Sequence, residues 1–97
     1  METKIQKFTN KEINQALTNW QNENAGKMPS KIKVNKYNLT LYFATMKGNK
    51  NIPQKAREFD VEKRVNEIET GQSLFQLYGI LVEIDLDLNR NFIIIEK

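Results

Sequence analysis

The chain has 97 residues, 15 Lys+Arg against 12 Asp+Glu, and neither His nor Cys. A single small domain is what this length accommodates. Without cysteine there is no disulfide, thiolate nucleophile or sulfur-ligated zinc, and without histidine the usual general base and commonest metal ligand are missing, which excludes most hydrolase and transferase constellations.

Hydrophobic residues at 39% and charged residues at 28% fit a globular domain. The start of the chain is polar and carries no apolar signal region, so a cytoplasmic location is expected. The longest large-apolar run, Phe92 to Ile95, is far too short to span a bilayer, and no membrane partner is expected. Charge is unevenly spread: residues 1–50 hold nine Lys and three Glu, whereas residues 51–97 hold six basic and nine acidic side chains. Twelve Lys against three Arg, with twelve Asn, is the coding bias of an AT-rich genome.

Residues 1–8 read as a polar lead-in, either disordered or folded over the sheet through Ile5 and Phe8. Thr9 and Glu12 have the spacing of a capping box, and Ile13, Ala16, Leu17 and Trp20 follow on one helical stripe. A helix is predicted over 10–24, stopped by Gly26. Trp20 on that stripe reads as core rather than as a partner anchor. Lys31-Ile32-Lys33-Val34 alternates as a short strand. The stretch 36–47 fits two readings. As a strand it alternates Tyr37, Leu39, Leu41 and Phe43. As a helix capped by Asn35 it offers a Tyr37/Thr40/Leu41/Ala44 face and an adjoining Leu39/Phe43/Met46 face. The helical end at Ala44 to Lys47 favours strand, turn, then helix. After a loop at 48–53, a helix runs from Gln54 or Asp60 to Thr70, with Val61, Val65 and Ile68 inward. Gly79 opens a strand with Ile80, Val82 and Ile84 on one side and Leu81, Glu83 and Asp85 on the other. Residues 86–91 turn, and Phe92 to Ile95 form the second arm of a C-terminal β-hairpin over 80–96. The predicted core is Ile13, Leu17, Trp20, Ile32, Val34, Leu41, Val65, Ile68, Ile80, Val82, Ile84, Phe92 and Ile94.

Few patterns carry chemistry. Asp85, Asp87, Asn89, the Asn91 carbonyl and Glu96 have the spacing of a calcium loop. Arg90 occupies the position that needs glycine and Leu86 and Leu88 the small or polar slots, so this reads as the wet side of a strand and turn, with no metal. Lys31, Lys33, Lys36, Lys47 and Lys50 near Tyr37, Tyr42 and Phe43 form a candidate nucleic-acid surface. No zinc finger, RNP-type strand or phosphate loop accompanies them, and a lysine-rich solvated surface is the favoured account. No nucleophile–base pair can be assembled, and no cofactor is implied. With Phe92 and Ile94 turned to the helices, Ile93 and Ile95 beside Leu81 become a candidate partner surface, with a homodimer as one form of it.

Pro29 to Asn35, Tyr78 to Asp85, and Leu88-Asn89 with Phe92 to Glu96 together resemble short uncharacterised proteins encoded in phages and prophages of low-GC Gram-positive bacteria, and the terminal hairpin of some phage structural proteins. The resemblance implies an origin on a mobile element and transfers no functional residue. The expected fold is α+β: a small sheet with a C-terminal β-hairpin and two to three helices packed on one face, in one domain over 1–97. The expected function is a non-enzymatic protein-interaction module, an assembly component or an inhibitor of a host factor, with an unidentified protein partner. The alternative is a nucleic-acid-binding accessory protein.

Overall fold

The computed structural model describes residues 1–97. The element order is β1 (Glu2–Lys4), α1 (Asn10–Glu23), β2 (Lys31–Val34), α2 (Lys36–Gly48), α3 (Gln54–Arg57), α4 (Val61–Glu69), β3 (Phe75–Leu77), β4 (Ile80–Ile84) and β5 (Phe92–Glu96). The strands form one mixed sheet in the order β1-β5-β2-β4-β3. The fold class is therefore α+β, as expected. Helices α1, α2 and α4 bury side chains in one cluster with the inner face of the sheet, while α3 buries none. No helix is long and apolar enough to cross a membrane.

Local signals explain the helices. The Thr9 hydroxyl accepts from the Glu12 amide at 3.3 Å and opens α1. The reciprocal half of the expected box is redirected: Glu12 Oε2 accepts from the Gln6 and Lys7 amides at 2.8 Å each, pinning the β1–α1 connection. Ala25 and Gly26 both take left-handed backbone, and the Gly26 amide donates to the Gln21 carbonyl, ending the helix. Asn35 caps α2 by accepting from the Tyr37 amide at 2.7 Å, which settles 36–47 as helix. The stretch from Gln54 to Thr70 is two helices rather than one, because Asp60 caps a fresh start by accepting from the Lys63 amide at 3.1 Å.

Four expectations are settled or corrected. Of the two readings of residues 1–8 the folded one holds: Glu2–Lys4 pair with β5, and Ile5 and Phe8 are buried in the core. Strands 80–84 and 92–96 do not form a hairpin. Strand β2 lies between them, parallel to β4 and antiparallel to β5. Its place there is secured by the β4–β5 connection, which passes over the β2–α2 junction. The Asp85 amide donates to the Val34 carbonyl, and Asn35 and Asn38 donate to the carbonyls of Leu88 and Arg90 at 2.6 and 2.7 Å. The tight hairpin is instead β3–β4, turned by Tyr78 and Gly79, both with positive φ, the backbone that a two-residue type I′ turn requires.

The third correction concerns β5. Ile93 and Ile95 are fully buried, and Phe92 and Ile94 face outward half-buried, the reverse of the expected parity. Ile95 pairs with Ile32 and Ile94 with Lys33. Paired residues share a face, so seating Ile94 in the core would take Lys33 in with it. The fourth concerns α2. Its inward face is Leu39 and Phe43, with Leu41 left 48% exposed. Ile84 is half-buried rather than buried; the other nine predicted core positions are buried.

Candidate functional site

The outward face of the sheet carries no helix. It presents Leu81, Phe92 and Ile94, half-buried among Lys31, Lys33, Glu83 and Glu96. Lys31 pairs with Glu83 at 3.1 Å and Lys33 with Glu96 at 3.0 Å. The Glu96 carboxylate raises the Lys33 ammonium pKa above its ordinary value through a hydrogen bond and its charge, and that same hydrogen bond lowers Glu96. The charges on this face thus satisfy one another, as on a sheet face open to water. Of the expected partner surface only Leu81 lies here. Ile93 and Ile95 are inside the core.

The five lysines of the candidate nucleic-acid surface are not gathered into one patch. Lys31 and Lys33 are on the open sheet face, Lys36 pairs with Glu69 at 2.7 Å, Lys47 donates to the Phe59 carbonyl, and Lys50 lies in the α2–α3 loop. The Asp85–Asn91 stretch is a pair of side-chain-capped turns. Asp85 accepts from the Asp87 amide and Asn89 from the Asn91 amide, Leu88 is buried beneath them, and Glu96 points away to Lys33.

The geometry that does stand out is on the other side of α2. A groove of about 660 Å³ runs between the β1–α1 connection, the outward face of α2 and the β4–β5 connection. That volume is in the usual range for binding clefts, about 300–1,000 Å³. Tyr37, Leu41, Thr45 and Asn49 succeed one another at four-residue intervals along its floor. At about 1.5 Å per residue they span about 18 Å. Tyr37 and Leu41 are 50% and 48% exposed there. Phe8 stacks edge-on to Tyr42 at 5.7 Å between ring centroids, and the Tyr42 hydroxyl donates to Asn10 at 3.1 Å. Burial, with Tyr78 second, pushes the Tyr42 phenol above its ordinary value, opposed by the bond to Asn10, so it is a neutral donor at physiological pH.

The groove has a cationic end. The Arg90 guanidinium lies over the Tyr37 ring at 5.1 Å, and its own backbone carbonyl is held by Asn38. Neither Arg90 nor Lys7 makes a salt bridge, and no lining residue is a carboxylate. Glu12 does not line the groove, and one of its oxygens is taken by two backbone amides. The amide side chains of Gln6 and Asn91 also line the groove and have no hydrogen-bond partner within the chain. A second, wide-open depression beside Lys47, Arg57 and Asp60 mixes both charges, and Arg57 there is spent on the carbonyls of Ile52 and Lys47.

Sequence reasoning missed this site because it used Leu41 for the core. The signal was present: α2 carries two apolar faces, Tyr37/Leu41 and Leu39/Phe43, where one suffices for a helix laid on a sheet. The chain matches no family model, no curated protein and no solved structure.

Proposed function

We propose that this chain is a non-enzymatic protein-interaction module that receives a segment of its partner in the groove along α2. The observation that carries the reading is the outward face of α2, where Tyr37 and Leu41 stand half-exposed on the floor of a cleft whose rim offers unpaired cations and free amides. Exposed apolar side chains set among polar neighbours are the composition of a recognition surface. Its roles as an assembly component or as an inhibitor of a host factor, on a mobile element, both use such a surface. The nucleic-acid reading has less support, since three of its five lysines are each engaged by a carboxylate.

Panning a random peptide library on the immobilised protein tests the proposal, with Leu41→Lys as the blocked-groove reference. Leu41 is half-exposed, so the fold is expected to be retained, and an unchanged melting temperature checks this. Peptides retained by the natural chain and lost on Leu41→Lys are expected. Absence of any groove-dependent peptide, together with a gel shift of DNA or RNA at ~150 mM salt, overturns the reading in favour of nucleic-acid binding.

A further inference from the structure

Resting on that reading, the groove also specifies what kind of segment it takes. Its floor from Tyr37 to Asn49 is about 18 Å long by helix geometry, the length of five or six residues of extended chain at about 3.3 Å each. The amides of Gln6 and Asn91, unpartnered within the chain, each offer a donor and an acceptor, which suits the backbone of an extended peptide.

Charge sets the direction. Arg90 and Lys7 are the groove's only ionised side chains, neither is neutralised, and no carboxylate lines the cleft. Arg90 is also positioned: Asn38, only 5% exposed, anchors its backbone carbonyl, and its guanidinium lies over the Tyr37 ring. A guanidinium laid over a tyrosine ring with its donors free is suited to a carboxylate, which it meets with two parallel hydrogen bonds. At the other end, beyond Leu41, no charged side chain lines the groove: the apolar Met46 and Ile52 stand there with the neutral Thr45 and Asn49.

We propose that the groove binds an extended acidic peptide segment, five or six residues long, with a carboxylate side chain on Arg90 and an apolar side chain three to five residues away against Leu41 and Ile52. A single-stranded nucleic acid fits less well. The Tyr37 ring that would stack a base already has the guanidinium on one face, and two cations are few for a phosphate backbone.

The test pans a random hexapeptide library on the natural chain, on Arg90→Gln and on Leu41→Lys, then measures the enriched peptides by fluorescence anisotropy. Arg90→Gln keeps the backbone carbonyl that Asn38 holds, and an unchanged melting temperature checks that the fold is retained. Enriched sequences are expected to place Asp or Glu at one end and an apolar residue three to five positions away. Replacing that acid by its amide, or Arg90 by Gln, is expected to weaken binding about tenfold, with no further loss when both changes are combined. Neutral or basic peptides that require Leu41 but ignore Arg90 overturn this inference and leave the interaction reading standing. No groove-dependent peptide at all removes both. Arg90-dependent binding of a twelve-nucleotide oligo-dT at ~150 mM salt, with no acidic peptide enriched, also overturns it.

Discussion

The parity of β5 decides which residues are core and which are surface, and one pair of substitutions tests it. Ile93 is fully buried and pairs with Thr3, whereas its neighbour Ile94 stands half-exposed opposite Lys33. Truncating a fully enclosed isoleucine to alanine costs about 2–5 kcal/mol, because the lost transfer energy is joined by an unfilled cavity. Ile94 has only part of its surface to lose and leaves no enclosed void, so its truncation costs about 1 kcal/mol. A domain of this size has about 5–15 kcal/mol in total, so Ile93→Ala removes a large share. In urea unfolding, Ile93→Ala is expected to lower the midpoint by about 1–3 M, with Ile94→Ala well under 1 M. Should Ile93→Ala fail to fold, Ile93→Val against Ile94→Val gives the same ordering on a smaller scale, about 0.5–1.5 kcal/mol for the buried site. Equal losses, or a larger loss at Ile94, would refute the assignment of faces and with it the open sheet face.

Three further outcomes follow from the same geometry. Asn38→Ala leaves the Arg90 carbonyl without its donor, which is expected to cost about 1–2 kcal/mol in chemical unfolding and to speed amide exchange across residues 85–91. Because the Lys33–Glu96 contact raises the lysine and lowers the carboxylate, its stabilisation is complete between the two ordinary values and fades outside them: below about pH 4 as Glu96 protonates, above about pH 10 as Lys33 loses its proton. The melting-temperature difference between the natural chain and Lys33→Gln is therefore expected to be flat from pH 6 to 9 and to narrow at both extremes; a difference that widens in acid contradicts the pairing. Since Ile93 and Ile95 are internal, sedimentation at micromolar concentration is expected to give an 11.4 kDa monomer. A dimer dispersed by Ile94→Lys would show instead that the open sheet face joins two copies.

Local features were legible along the chain. Caps and stripes a few residues apart placed α1 through Thr9 and Trp20 and fixed α4 from its Val65/Ile68 stripe. Alternation placed β2 and gave its inward face, since Ile32 and Val34 alternate with Lys31 and Lys33, which cannot share a core. The bias toward one small α+β domain followed from the same patterns. Long-range features came from contacts between distant segments. Four consecutive apolar residues in β5 carry no alternation, so their parity came from the neighbour they pair with, Ile32 more than 60 positions away. The strand order had the same origin. The β4–β5 connection is tied to Asn35 and Asn38, and those bonds admit β2 between two strands that look, in sequence, like successive arms of a hairpin. The groove is the consequence. Once the sheet takes Leu39 and Phe43, the surplus apolar face of α2 turns outward beneath Arg90, a residue 53 positions from the Tyr37 ring it covers. Local propensity has no term for such a meeting, because it depends on which strands become neighbours.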